Sequence, residues 1–100
     1  MSHRLEIRPL ASLDIIAAAA WYEERQPGLG QRFTVEIVAT IDALLPNPLL
    51  HRLRHRRLGV RWCLSKSFPY RIVYRVAEDM VTIVAVIHCA RRDGQWRERL

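Results

Sequence analysis

The sequence predicts an α+β fold, in the order β-α-α-β-β-β, in which a helical hairpin packs on one face of a small antiparallel sheet. Three observations predict it. A short segment of alternating apolar and charged residues opens the chain. Two segments with apolar residues at helical spacing follow, and three segments rich in β-branched and aromatic residues fill the second half. With 100 residues, half of them hydrophobic, the chain is expected to form a single domain over residues 1–100.

The first strand and the first helix are predicted on either side of a proline. Leu5 and Ile7 alternate with charged residues, and Pro9 ends this strand, which we place near an edge of the sheet. Ser12 is a suitable N-cap for the helix that follows. The positions that recur at helical spacing after it are Leu13, Ile16, Ala17, Ala20 and Glu24.

The second helix carries the clearer pattern. The sequence QPGLG at 26–30 ends the first helix, and Pro27 is predicted to open the second. An i, i+4 stripe then runs through Leu29, Phe33, Ile37, Ile41, Leu44 and Leu45. The sequence PNP at 46–48 ends this helix. Because the joint is short, the two helices are expected to form an antiparallel hairpin.

Residues 49–59, LLHRLRHRRLG, have no clean period and are predicted to form a loop or an irregular segment. The simplest interpretation is a solvated basic loop, and the more specific one is a contact with nucleic acid or the ribosome. Arginines without interleaved aromatics give affinity for phosphate rather than readout of bases. His51 and His55 have the spacing of two zinc ligands only if their segment is helical, and this segment is predicted to be irregular. We therefore expect no metal site and no cofactor.

Three strands are predicted at 60–65, 68–76 and 80–88. If Glu78 and Asp79 are the central residues of a tight turn, the period of two fixes the register. The predicted pairs are Ala77–Met80, Arg75–Thr82, Val73–Val84 and Arg71–Val86, with His88 opposite Pro69. A three-residue loop at 65–67 would further pair Trp62 with Tyr70 and Arg61 with Arg71.

This register places the charged residues on the far face of the sheet, meaning the face turned away from the helices. The far face is predicted to hold Arg61, Cys63, Arg71, Arg75 and His88, with Val73, Val84 and Val86 between them. Strand charges commonly face water. Valines left bare in water favour a covering partner, so the far face is predicted to be a binding or catalytic surface.

The charge balance indicates an anionic partner. Sixteen basic residues against ten acidic ones give a formal charge of +6, and Lys66 is the only lysine. Arginine suits phosphate and carboxylate, so nucleic acid or an acidic protein segment is expected. No apolar run approaches the roughly 20 residues of a membrane span, and the N-terminus lacks the apolar core of a signal peptide. We therefore expect a cytoplasmic protein with no membrane partner and with Cys63 and Cys89 reduced.

Four segments together carry a family resemblance over about residues 3–97. They are WYEERQPGLGQRF at the helix joint, NP after the second helix, FPYRIVYRV, and VAVIHCARRD followed by Trp96. In order and spacing the chain resembles the RelE/ParE toxins of bacterial type II toxin–antitoxin pairs, of the plasmid stabilisation type. The resemblance implies a toxin that arrests growth unless a cognate antitoxin lays a disordered, often acidic segment along it.

The family has a ribonuclease branch that cuts mRNA in the ribosomal A site. The resemblance assigns Arg71 and Arg91 to the scissile phosphate, and His88 would be the titrating group. That branch commonly offers lysines where this chain has Trp62 and Leu64, so its set of catalytic residues is incomplete here. Whether the protein is an enzyme therefore depends on its target.

The branch that poisons DNA gyrase acts by binding, and VIHCARRD is closer to that branch. The candidate binding residues are Arg61, Arg71, Arg75, His88, Arg91, Arg92 and Trp96. Trp96 is expected to fold back over the sheet edge or the helices, or to stack on a base. An inactive domain that only binds its antitoxin stays open as a third interpretation. A homodimer and a toxin–antitoxin hetero-oligomer both fit the sequence.

Overall fold

A computed structural model describes residues 3–100 of the protein. The elements are β1 (Arg4–Ile7), α1 (Pro9–Arg25), α2 (Leu29–Leu44), β2 (Leu53–His55), β3 (Val60–Leu64), β4 (Tyr70–Ala77), β5 (Met80–His88) and α3 (Gly94–Arg97). The five strands form one sheet in the order β1-β5-β4-β3-β2. The predicted α+β fold is confirmed, with β2 added inside the segment expected to be irregular. The sheet is antiparallel except at one edge, where β1 runs parallel to β5.

The start of α1 differs from the prediction by a whole turn. Pro9 is the first helical residue, Arg8 is the N-cap, and the Ser12 N–H donates to the Arg8 carbonyl at 3.0 Å. Proline is favoured at this position because its fixed φ suits the helix and the N–H that it lacks would have no helical partner. Ser12 therefore lies inside the helix, and the prediction that it caps α1 was wrong.

The positions of α1 that recur at helical spacing lie on its solvent side. Leu13 and Ile16 are 57% and 62% exposed, and Ala17, Ala20 and Glu24 are exposed as well. The buried residues of the helix are Ala11, Ile15 and Ala18. Because α1 is apolar almost all round, its pattern does not specify which side faces the sheet. An apolar surface, the outer face of α1 (Leu10, Leu13 and Ile16), is left uncovered within the chain.

The joint between the helices is held by one carboxylate. Glu23 accepts hydrogen bonds from the backbone N–H groups of Gly28 and Gly30, at 2.9 and 3.0 Å. Gly28 adopts the left-handed region with a φ of 88°, and α2 begins after it, so Pro27 lies outside the helix that it was predicted to open. A Cβ on Gly30 would lie 2.4 Å from the Ala19 carbonyl oxygen. The GLG sequence therefore serves the helix joint, as predicted, by allowing the two backbones to approach.

The register between β4 and β5 is as predicted up to a β-bulge. Ala77 pairs with Met80 and Arg75 with Thr82, but Val73 pairs with Ala85, which leaves Val84 as an extra residue. A bulge reverses which side chains face each side of the strand after it. The pairs after it are Arg71–Ile87 and Tyr70–His88. The predicted Val73–Val84, Arg71–Val86 and Pro69–His88 pairs are therefore wrong, and His88 points to the helix side.

The register between β3 and β4 also differs, because the loop spans residues 65–69 instead of 65–67. Trp62 pairs with Val73 and Arg61 pairs with Tyr74, so Trp62 lies on the far face while Arg61 and Cys63 face the helices. Glu36 of α2 fixes this longer loop by accepting the Ser65 hydroxyl and, at 2.9 Å, the Ser67 N–H. The predicted Trp62–Tyr70 and Arg61–Arg71 pairs do not form.

Apolar cores lie on both faces of the sheet. The larger one joins the helices to the sheet through Phe33, Ile37, Ile72, Tyr74 and Ile83, among others. The smaller one covers the far face and contains Val60, Val73, Val84, Ala85, Ile87 and Trp96. Trp96 is 1% exposed and folds back onto the far face itself, instead of the edge or the helices. The far face is therefore closed by the chain's own C-terminal segment, residues 89–100.

We predict that Gly30→Ala destabilises the protein by about 1–3 kcal/mol, because the added methyl group meets the Ala19 carbonyl in a backbone contact that cannot yield cheaply. The measurement is the urea midpoint of unfolding. Gly94→Ala is the matched control, since a Cβ at that position meets nothing within 4 Å. Equal midpoints for the two variants would contradict the proposed close crossing.

Candidate functional site

Arg71 lies on the far face, and its guanidinium is already engaged. Nη1 donates to Asp93 Oδ1 at 2.9 Å and Nη2 donates to the Arg91 carbonyl at 2.6 Å. The guanidinium carbon stacks over the Trp62 ring at 4.8 Å from its centroid. The side chain is only 9% exposed. Arg71 thus ties β4 to the C-terminal segment and holds the turn that follows β5.

Asp93 is the anionic partner in this contact. Burial alone would raise the pKa of Asp93, but the hydrogen bond from Arg71 and the positive charges of Arg71 and Arg97 hold that pKa below its ordinary value. The carboxylate is therefore charged at neutral pH. A charge-assisted bond of this kind is stronger than a neutral one, which suits it to orienting the C-terminal segment.

A second ion pair holds the end of the chain against α1 and β5. Arg99 donates to both oxygens of Asp14, at 2.6 and 2.9 Å, and also to the Val84 carbonyl at 3.1 Å. Asp14 Oδ2 in turn accepts the Val86 N–H at 2.9 Å. β1 pairs only with residues 80–83 of β5. These two side chains therefore satisfy backbone groups of β5 that lie beyond the end of β1.

A groove of about 470 Å³ runs between α1 and the C-terminal segment. We call it the α1 groove, and its functional lining is Trp21, Tyr22, Tyr70, His88 and Arg91. Trp21 is half exposed at the rim, and the Tyr70 and His88 rings stand 5.3 Å apart. Burial raises the pKa of Tyr70, and the charge of Arg91 partly offsets the effect. Aromatic walls beside a guanidinium suit an aromatic or anionic group of a partner.

The structure separates the residues that the sequence grouped as catalytic. His88 and Arg91 line the α1 groove, whereas Arg71 lies on the opposite face of the sheet, paired with Ile87. His88 Nδ1 accepts the Ala90 N–H at 3.0 Å, which fixes its ring at the end of β5. Arg71 and His88 therefore lie on opposite faces of the sheet, whereas Arg91 contacts the Arg71 guanidinium through its backbone carbonyl.

The other candidate residues are also divided. Arg61 faces the helices beside Tyr74, Arg75 pairs with Thr82 away from the helices, and Arg92 is exposed in the turn after β5. Trp96 is buried in the far-face core and is not presented to a base. The continuous positive face predicted from the register does not form, since a bulge and a longer loop moved its members.

The sequence interpretation missed four residues that organise these surfaces. Asp14 and Asp93 anchor the C-terminal segment, and Trp21 and Tyr22 form the wall of the α1 groove. The signal for Asp93 was its position directly after two arginines, where a turn can bring a carboxylate back onto the sheet. For Trp21 and Tyr22, no signal in the sequence shows that both line a groove.

Within residues 3–100, no helix is both long enough and apolar enough to cross a membrane. Among the same residues, no three His, Cys, Asp or Glu side chains gather at one point where a metal ion could be held.

Comparison with known families gives one match that covers most of the chain. Residues 5–93 match the family described as the ParE toxin of the type II toxin–antitoxin system parDE. No curated protein matches the chain by sequence.

Solved structures share the fold at low sequence identity. The chromosomal ParDE system from P. aeruginosa contains a chain with a TM-score of 0.76 and 20% identity, covering 87% of this chain and 96% of its own. A chain of the toxin–antitoxin complex RelBE2 from Mycobacterium tuberculosis gives 0.59 and 18%, covering 88% and 99%. A mutant of the E. coli toxin RelE in the free state gives 0.63 and 14%, covering 99% and 94%.

We predict that Asp93→Asn loosens the C-terminal segment at neutral pH, because Arg71 keeps only a neutral acceptor. The expected result is a red shift of tryptophan emission as Trp62 and Trp96 become accessible to water. Since the folded pKa of Asp93 is depressed, its contribution is present above the ordinary value of 3.8 and is lost as pH falls further.

The measurement is the difference in emission and in urea midpoint between the wild type and Asp93→Asn, from about pH 7 to about pH 3. Other carboxylates titrate in both proteins and cancel in the difference. The difference should shrink only in the acidic part of the range. A difference that stays constant with pH would exclude an ionised Asp93 as the cause.

Proposed function

The chain belongs to the family of ParE toxins of type II toxin–antitoxin systems, and from that premise we propose that it arrests growth by binding DNA gyrase. The observation that carries the proposal is the separation of Arg71 from His88, which lie on opposite faces of the sheet. A nuclease needs its phosphate-binding and proton-transfer groups within reach of one substrate position. A toxin that acts by docking has no such requirement.

The state of Arg71 supports the same proposal. Its two terminal nitrogens are bonded to Asp93 and to the Arg91 carbonyl, and its side chain is only 9% exposed, which limits the access of a phosphate to it. Displacing Asp93 would also leave the nearly buried Arg71 charge without its anionic partner, which is costly. We interpret Arg71 as a residue that shapes the binding surface and does not contact the target.

The α1 groove is the surface that we assign to gyrase. It combines an exposed indole, two half-buried phenols, an imidazole and a guanidinium around one concavity. Aromatic and arginine side chains are the residue types that contribute most to protein interfaces. Arg91 is the exposed charge of this set, and we expect it to pair with a carboxylate of the target.

A cognate antitoxin is the second proposed partner, and the outer face of α1 fits it. Leu10, Leu13 and Ile16 are each more than half exposed, and Val35 and Val38 add exposed apolar surface on α2. Contiguous apolar surface on a small protein marks a protein-binding site. An amphipathic segment could cover this surface, and acidic residues in it would complement the charge of +6.

A ribosome-dependent endoribonuclease is the alternative that one observation favours. His88 and Arg91 share the α1 groove with Tyr70, so an imidazole, a guanidinium and a phenol do lie together. Such an enzyme would work without Arg71. An inactive domain that only binds an antitoxin is the outcome if neither target responds.

We predict that Arg91→Ala weakens inhibition of gyrase supercoiling by about tenfold or more, because the variant removes the guanidinium that pairs with the target at the groove. Arg92→Ala is the matched control, since Arg92 is the adjacent exposed arginine and does not line the groove. The assay measures relaxed and linear plasmid produced by purified gyrase, alongside mapping of mRNA 5′ ends in cells after induction.

Intact messages with accumulated linear plasmid would support the proposal. New 5′ ends at fixed codon positions, reduced by His88→Ala, would replace it with the ribonuclease. Growth that continues with neither effect would make the protein an inactive antitoxin-binding domain.

We further predict that Ile16→Asp raises the Kd for the antitoxin about tenfold or more, because a charge enters the apolar outer face of α1. Inhibition of gyrase should stay unchanged, since Ile16 does not line the α1 groove. Titration calorimetry with the purified cognate antitoxin measures the Kd. Leu50→Asp is the control, at a leucine 73% exposed outside both helices, and an equal loss there would contradict the assignment.

A further inference from the structure

The charges of the chain are segregated along the sequence. No aspartate or glutamate occurs in residues 43–77, while this segment holds eight of the sixteen arginines and lysines. All ten carboxylates lie in the other 65 residues, which carry a formal charge of −2. The whole positive excess of the protein therefore comes from one segment.

The structure concentrates this charge at one edge of the sheet. β2, the turn at 56–59 and the start of β3 form what we call the basic hairpin, residues 52–61, and β2 is the outermost strand. Arg52, Arg54, Arg56 and Arg57 are all exposed on it. Within the described residues 3–100, none of the four forms an ion pair. Their charge is available to a partner.

One of these arginines is held in place by an aromatic ring. The guanidinium carbon of Arg54 lies 4.9 Å from the centroid of the Trp62 ring, and that of Arg71 lies 4.8 Å from the same centroid. Stacking limits the freedom of the Arg54 side chain while its N–H groups remain exposed. A preorganised guanidinium loses less entropy when it binds an anion.

We propose that the basic hairpin binds the phosphate backbone of duplex DNA, so that the toxin contacts DNA while the α1 groove engages gyrase. The choice of duplex DNA as the source of phosphate rests on the proposed function. Four exposed arginines, in a segment that holds no aspartate or glutamate, give affinity for phosphate. The contacts hold the backbone and do not select a sequence.

The hairpin and the α1 groove are separate surfaces. The groove lies beside β5, and β4 and β3 separate it from β2. Three strand spacings of about 4.8 Å lie between β2 and β5, and the hairpin is level with Thr82 and Ile83 while the groove lies at the His88 end of β5, so the two surfaces are more than about 15 Å apart. One surface can therefore contact gyrase while the other contacts DNA that gyrase holds.

A protein partner fits the basic hairpin less well. The larger group of exposed apolar residues that a wrapping chain would bury lies on the helices, at Leu10, Leu13, Ile16, Trp21, Val35 and Val38, whereas residues 52–61 contribute Leu53 alone and Leu49 and Leu50 precede them. Association between proteins is dominated by such burial, whereas DNA binding is dominated by release of counterions from phosphates.

The test compares two triple variants of equal net charge. Arg52→Gln/Arg56→Gln/Arg57→Gln removes three hairpin charges whose side chains make no hydrogen bond or ion pair to another residue in 3–100. Arg4→Gln/Arg25→Gln/Arg32→Gln removes three exposed charges outside the hairpin. Fluorescence anisotropy measures binding of each protein, without gyrase, to a labelled duplex of about 20 base pairs from roughly 50 to 200 mM salt.

The hairpin triple is expected to bind about tenfold or more weakly than the wild type. The slope of the logarithm of the binding constant against the logarithm of the salt concentration should become less steep by about 3, one for each phosphate that the variant no longer neutralises. The control triple should change affinity by less than about threefold. Arg52→Lys/Arg56→Lys/Arg57→Lys should keep most of the slope, since lysine also binds phosphate as a point charge. Circular dichroism checks that each variant is folded.

The proposal is overturned if the two glutamine triples weaken binding equally, if the wild type does not bind the duplex, or if polyglutamate of equal charge binds as tightly. Tighter binding to an RNA duplex would also overturn the choice of DNA. Because gyrase is absent from this assay, loss of DNA binding with gyrase inhibition retained rejects this inference alone. Retained DNA binding without gyrase inhibition would reject the proposed function instead.

Discussion

The hydrogen bonds from Arg71 to Asp93 and to the Arg91 carbonyl are the interaction on which the surfaces of this protein depend. They fold the C-terminal segment back across the sheet, and this brings Trp96 into the far-face core. The same fold-back sets Arg91 on the rim of the α1 groove. One guanidinium thus closes one face of the sheet and shapes the binding surface beside the other.

Two local irregularities decide which side chains share a face. The bulge at Val84 sends His88 to the helix side, and the Glu36 carboxylate holds a longer loop that sends Trp62 to the far face. Each reverses the facing of a whole strand end, because side chains alternate with a period of two. The charged and aromatic residues of the sheet are therefore distributed over two surfaces instead of one.

The order of the elements apart from β2 and α3, the helical hairpin and the turn at residues 77–80 could be predicted, because each depends on patterns local to its own segment. The stripe of α2 was predictable for the same reason, since Phe33, Ile37, Ile41 and Leu44 repeat at helical spacing and are buried. Which face of α1 packs on the sheet could not be predicted, because α1 carries apolar residues on almost all of its sides. The prediction of the candidate site was wrong at the bulge in β5 and at the loop 65–69. Both are fixed by contacts with residues distant in the sequence, such as Glu36. Arg71 and Arg91 were identified as important from the family resemblance, but their direct connection appears only in three dimensions.

The edges of the sheet are guarded in two different ways. At β5, the Asp14 carboxylate and the Arg99 guanidinium occupy backbone groups that would otherwise offer a template to a strand from another molecule. At the other edge, β2 is three residues long and carries Arg54 at its centre. The positive charges of two such edges would repel one another. At these two places a strand from a neighbouring copy therefore finds the backbone groups occupied or the edge too short, which disfavours cross-strand pairing there.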